Sequence, residues 1–331
     1  MRIKRAAFAA VAVSALVLTG CSTSEDSGGD TEEDTSSGST NVDAGDLRID
    51  VITHASPGDS FWDVVKSGAE QAEEDLGVDM RYANDPDPGE QSTLIDNAVA
   101  DDTDGLVVSM ASPEGLETAI KAAVDAGVPV ITINSGIDDW EAFGAITHVG
   151  QSETIAGEAA GEQLNEAGLS NVICVIQEAG NVGLEQRCAG AAKTFDGDLT
   201  NLQVDNTDLS GSESTIESKI QSDETIDGIL SLGGDMSGAV VRAVEASGRD
   251  DVTVGTFDVN ADVAQNVLDG KILFAIDQQP YVQGYLGVTG IYLKLINGND
   301  IGGGQPVYSG PAIITKENAE EVLKYAENGT R

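Results

Sequence analysis

The chain has 331 residues, with 57 acidic against 17 basic side chains and a formal net charge of −40. Such a surface repels phosphate backbones and anionic lipid, so nucleic-acid binding is not expected. With only two histidines, His54 and His148, and three cysteines, the chain shows no zinc-ligand spacing and no nucleophile–base pattern; no metal, no cofactor and no enzymatic activity is predicted.

In chain order, the first element is a targeting segment. Arg2, Lys4 and Arg5 precede an apolar run from Ala6 to Leu18, which reads as an export signal over 1–20. The run is too short to span a bilayer as a mature helix. Leu18-Thr19-Gly20-Cys21 resembles the bacterial lipobox. That resemblance implies that Cys21 is lipidated and becomes the first mature residue, leaving the protein extracytoplasmic and lipid-anchored to the cell membrane. Residues 21–46 are almost all Ser, Thr, Gly, Asp and Glu. A segment with so little apolar surface cannot offset its ordering entropy, and its charges extend it, so it is predicted to be a disordered acidic tether.

About 285 residues follow the tether, enough for two domains. Short β-rich runs alternate with amphipathic helices. Strands are predicted at Leu47–Thr53, Val78–Ala83, Gly105–Met110 and Val128–Ile133, with helices at Phe61–Leu76, Gln91–Ala100 and Pro113–Ala126. The grammar repeats with strands at Ala145–Val149, Val172–Gln177, Asp227–Leu232, Val252–Phe257 and Ile272–Ile276, interleaved with helical stretches beginning with Glu153–Ala167. This predicts an α/β protein with two doubly wound parallel-sheet lobes, since one sheet of so many strands exceeds the usual domain size. Ligands of such sheets sit beyond the carboxyl ends of the strands, so facing lobes would enclose a cleft. Asp101-Asp102-Thr103-Asp104-Gly105 lacks the spacing and distal glutamate of a calcium loop, and Gly302-Gly303-Gly304 lacks the Lys-Ser/Thr of a phosphate loop; both read as turns. Cys174 falls in a strand and Cys188 early in the helix packing back over it, so a disulfide is expected.

Several segments, taken in order, resemble the ribose-type (type I) periplasmic binding proteins, the sugar receptors of ABC importers. They are Gly58-Asp59-Ser60-Phe61-Trp62, Gly127 to Asn134, Gly183 to Gly190, Gly255-Thr256-Phe257-Asp258, and Asp277-Gln278-Gln279-Pro280-Tyr281. The resemblance covers the body from about Leu47 to the C-terminus. It implies an N-terminal lobe of 47–147 with 279–308 and a C-terminal lobe of 148–278 with 309–331, joined by a three-segment hinge near His148-Val149, Gln278-Gln279 and Ser309-Gly310. His148 reads as a packed hinge residue, and His54 stands where a strand end meets the cleft or the core.

A sugar offers a ring of hydroxyls and two flatter C–H faces. Carboxylates, guanidinium and amides suit the former and aromatic rings the latter. Carried over by motif, the resemblance implies a ligand site of Asp59, Phe61, Trp62, Asn134, Arg187, Asp258 and Gln278. Ribose-type members commonly carry asparagine where Asp59 stands, an Asp-Arg pair at Asn134-Ser135, asparagine at Gly234 and an aromatic near Thr207–Leu209. These departures imply another monosaccharide or a polyol. The expected protein is a monomer that captures a small neutral sugar or polyol and passes it to an ABC permease in the membrane. The alternatives are a ligand-sensing receptor of the same fold, a binder of a nucleoside or furanosyl signal molecule, and a carbohydrate-active enzyme.

Overall fold

A computed structural model describes residues 44–331 of the chain. Up to residue 43, the segments read as an export signal and a tether, with Cys21, lie outside the described residues. Ala44–Asp46 forms a short 3-10 turn leading into the body. No helix among the described residues is long and apolar enough to cross a membrane.

Among the described residues, twelve strands form two six-stranded sheets. The first takes β1 (Arg48–Thr53), β2 (Asp79–Asn84), β3 (Gly105–Ser109), β4 (Val130–Asn134), β5 (His148–Gly150) and β11 (Val307–Tyr308), in the order β11-β5-β4-β3-β1-β2. The second takes β6 (Asn171–Ile176), β7 (Asp198–Gln203), β8 (Gly228–Ser231), β9 (Thr253–Phe257), β10 (Phe274–Asp277) and β12 (Ala312–Ile314), in the order β12-β10-β9-β8-β6-β7. All pairings are parallel except the one between β10 and β12. The central strands are continuous apolar runs because helices cover both faces, and every residue of β3, β4, β8 and β10 is buried. The edge strand β7, Asp-Leu-Thr-Asn-Leu-Gln, was not foreseen: it is mostly polar, with only Leu199 and Leu202 half-buried and the rest exposed.

The helices are α1 (Ser60–Leu76), α2 (Pro88–Ala100), α3 (Pro113–Asp125), α4 (Glu153–Glu166), α5 (Val182–Thr194), α6 (Leu209–Ser222), α7 (Gly234–Ser247), α8 (Ala261–Asp269), α9 (Pro280–Asn297) and α10 (Ala319–Ala326). Several start on an oxygen side chain that accepts from the first free amides, including Asp59, Ser152, Asn181 and Asn260. Pro88, Pro113 and Pro280 open three others, where their missing N–H costs nothing. Helix α1 packs on α9 against the first sheet, and α4 packs on α5 against the second.

The chain passes between the sheets three times: after Gly150, after Asp277, and between Tyr308 and Ala312. The first passage therefore lies a strand end later than a boundary at His148, because His148–Gly150 pairs with β4 as part of the first sheet. His148 is fully buried there, with Nδ1 2.9 Å from Thr132 Oγ1, and burial depresses its pKa to about 3. The three passages are tied side by side. Ser309 N donates to Gly150 O at 2.7 Å, and Gln279 Nε2 donates to Ser309 O at 2.6 Å. Cys174 of β6 and Cys188 of α5 form a disulfide with a Cα separation of 5.9 Å.

Candidate functional site

The carboxyl ends of both sheets' strands open into one cleft of about 700 Å³. All seven residues singled out in the sequence line it: Asp59, Phe61, Trp62, Asn134, Arg187, Asp258 and Gln278. Phe61 and Trp62 enter from the first turn of α1, with their rings edge-to-face at 5.1 Å. Trp62 is also core, only 5 % exposed, and lies edge-on to the His54 ring at 4.7 Å. Asn134 ends β4 and Asp258 follows β9, the equivalent strand of the other sheet. Both backbones are left-handed, with φ of 64°, a conformation Asn and Asp adopt more readily than most side chains.

Four of these residues form a buried chain of hydrogen bonds. Asn134 Nδ2 donates to Gln278 Oε1 at 3.1 Å, and Gln278 Nε2 donates to Asp258 Oδ1 at 2.6 Å. Asp258 Oδ2 in turn accepts from Arg187 Nη1 at 3.4 Å. Arg187 grips Glu153 with Nε and Nη2 at 2.7 and 3.0 Å, and Nη1 also donates to Leu232 O at 2.8 Å. Its guanidinium lies over the Phe257 ring, 4.8 Å from the centroid. Burial opposes the Arg187 charge, but Glu153 and Asp258 outweigh it and hold the pKa above the ordinary arginine value. Burial pushes the Asp258 carboxyl up to about 6, against the pull of Arg187. Sequence reasoning missed Glu153. It follows the capping Ser152 and looks like any acid in a helix's first turn, yet it is 1 % exposed and is the principal counter-ion of Arg187.

A second polar group sits where α1 meets the other lobe. The Ser60 amide and hydroxyl donate to Asp235 at 3.0 and 2.7 Å, and Asn260 Nδ2 donates to the same carboxylate at 3.2 Å. Asp59 beside it is pushed up to about 7, first by burial and then by Glu178 and Asp235. The lining carboxylates Asp59, Glu178, Asp208, Asp235 and Asp258 face a single permanent cation, Arg187. The cleft therefore repels anions.

A family model described as a periplasmic binding protein domain matches residues 49–300. The chain belongs to the periplasmic binding protein family. Its relatives there are sugar-binding proteins of ABC importers, which are not enzymes, and the family works outside the cytoplasm. A solved carbohydrate transporter from Acidothermus cellulolyticus 11B in complex with myo-inositol is 42 % identical, with a TM-score of 0.85, covering 86 % of this chain and 99 % of that one. The xylose/arabinose-binding protein of Sulfolobus acidocaldarius is 28 % identical over 60 % of this chain, an alignment that spans 54 % of the relative. The fructose import binding protein of Bifidobacterium longum is 27 % identical over 64 % of this chain and 68 % of its own length. The family's two-lobed frame is thus present here, with the strand-end side chains described above in its cleft.

Proposed function

We propose that this protein captures a neutral cyclic polyol or monosaccharide, with myo-inositol the first candidate, and delivers it to an ABC permease from a lipid anchor on Cys21. The observation that carries the reading is the cleft itself. Aromatic rings from one lobe face a ring of carboxylates and amides drawn from both, the inventory that C–H faces and hydroxyls need. The likeness to a protein crystallised with myo-inositol supports the ligand class. Its equatorial and axial hydroxyls suit the aspartates, which accept, and the amides, which both accept and donate. The changed residues at Asp59, Asn134 and Ser135 argue against ribose.

A ligand that binds only the folded protein stabilises it by about 2.7 kcal/mol at a hundredfold excess over its Kd. Myo-inositol should therefore raise the melting temperature by several degrees, while glucose 6-phosphate and glucuronate leave it unchanged. No shift from any neutral polyol or sugar in a broad panel would remove this reading. The anchor is checked separately. Cys21→Ala should release the protein into the medium, and equal membrane retention of the variant would exclude lipidation as the tether.

A further inference from the structure

Four of the residues nominated by motif, Asn134, Arg187, Asp258 and Gln278, spend most of their hydrogen-bonding capacity on one another or on Glu153 and Leu232. Arg187 is engaged by Glu153, Leu232 and Asp258. The Gln278 amide is used at both ends, by Asn134 and Asp258. Outside the motif set, unspent capacity in the cleft lies at two side chains, His54 and Gln177, both of which line it. His54 is 5 % exposed and Gln177 9 %. The Gln177 amide makes no hydrogen bond among the described residues, and its oxygen is fully buried. His54 bonds Ser109 Oγ through Nδ1 at 2.7 Å, and its Nε2 has no partner among the described residues.

Their positions are equivalent. His54 is the first residue after β1 and Gln177 the first after β6. These strands occupy the same place in the two sheets, second from the edge and beside β2 and β7. We infer that His54 and Gln177 are a matched pair of ligand contacts, one from each lobe, with His54 donating through Nε2–H and the Gln177 amide meeting neighbouring hydroxyls. The inference rests on the polyol-binding reading above and names two residues that set its specificity.

Ser109 fixes the His54 tautomer. The Ser109 hydroxyl oxygen already accepts from the His54 amide at 3.0 Å, and its own proton finds an acceptor at His54 Nδ1. Nδ1 is then bare and the proton sits on Nε2. Burial keeps the ring neutral, below its ordinary pKa. Gln177 packs against Gly233, where a Cβ would press on Nε2 of the amide; the glycine leaves the amide room at the cleft wall. An amide without partners in a buried position costs free energy, and a ligand hydroxyl can supply an acceptor for its Nε2.

The test is titration calorimetry with myo-inositol on the full folded body, repeated with D-xylose, D-arabinose and D-fructose. His54→Asn keeps a partner for Ser109 but withdraws Nε2, and Gln177→Ala removes the amide. Each should weaken binding by about tenfold to a hundredfold. His54→Gln, which can reach with its own amide N–H, should recover part of the loss. Nitrogen-15 NMR of the wild-type protein should show His54 protonated at Nε2 alone. Wild-type affinity in both His54→Asn and Gln177→Ala, or a proton on Nδ1, would overturn the inference while leaving the polyol reading intact. If wild type binds none of the four ligands, the polyol reading fails first and the pair falls with it. Should His54→Asn fail to fold, Gln177→Ala and the wild-type spectrum decide.

Discussion

At the scale of single residues, the cleft is organised around carboxylates whose environments differ. Arg187 compensates Glu153 and Asp258, so Asp258 stands among partners. Asp59 has none of that cation; burial pushes its carboxyl up first, and Glu178, Asp235 and Asp258, all borne by the other lobe, add to it. Bringing the lobes together is therefore expected to raise the affinity of Asp59 for a proton. Two consequences follow from linkage. Folded Asp59 retains its proton up to about 7 whereas the unfolded carboxyl has lost it, so its share of stability is present at low pH and lost as pH rises through about 7. Myo-inositol affinity should fall over the same interval, by at most about tenfold per pH unit. Calorimetry between about pH 5 and pH 8 should show this slope below about 7, levelling off above it, in wild type and a flat profile in Asp59→Asn; equal slopes would assign the titration elsewhere.

At the scale of elements, each lobe rests on one close helix pair. A methyl group on Gly284 of α9 would overlap the Val65 carbonyl of α1, and one on Gly157 of α4 would overlap the Arg187 carbonyl of α5. The second contact bears directly on the site, because it sets the height of α5, from which Arg187 reaches Glu153 on α4. The disulfide adds a covalent tie between the same helix and β6. It spans 14 positions along the sequence, and closing a loop of about 15 residues contributes roughly 3 kcal/mol in the chain-entropy model. The double variant Cys174→Ala, Cys188→Ala should lose about that much in urea unfolding while still binding myo-inositol. An unchanged denaturation midpoint would show that α5 needs no such tie.

At the scale of the whole molecule, the lobes meet on both flanks of the cleft. On one flank Asp235 lies against the N-terminus of α1 while standing in the first turn of α7, so two helix dipoles favour its charge. On the other, Val182 N donates to Ala111 O at 3.0 Å and Gln186 Nε2 to Asp138 Oδ2 at 2.9 Å. Binding in such a frame is coupled to closure about the hinge. Asp235→Ala removes a cross-lobe acceptor and should shift the population toward open molecules. The expected outcome is a larger radius of gyration in small-angle scattering with myo-inositol at subsaturating concentration, and an affinity lower by roughly five- to thirtyfold, equivalent to about 1–2 kcal/mol. Unaltered scattering and affinity would show that the other flank alone holds the lobes.

The sequence by itself determined the α/β class, the two lobes and the family. Apolar runs such as Leu106-Val107-Val108 and Ile173-Cys174-Val175-Ile176 declare buried parallel strands through local composition, and proline or capping residues mark helix starts. The motif residues were legible because strand ends and helix starts place their side chains wherever the fold places its cleft. What the sequence left open depended on distant partners. Asp198–Gln203 carries too few apolar residues to announce a strand, and pairing with β6 makes it one. Glu153 and Asp235 look like ordinary first-turn acids. Their roles arise only when α5 brings Arg187 across 34 positions of sequence, or when the other lobe brings Ser60 across 175. His54 and Gln177 share no motif. Only the common order of the two sheets shows them to be equivalent, because hydrogen-bond capacity is a balance over neighbours, and neighbours across a cleft are set by tertiary packing.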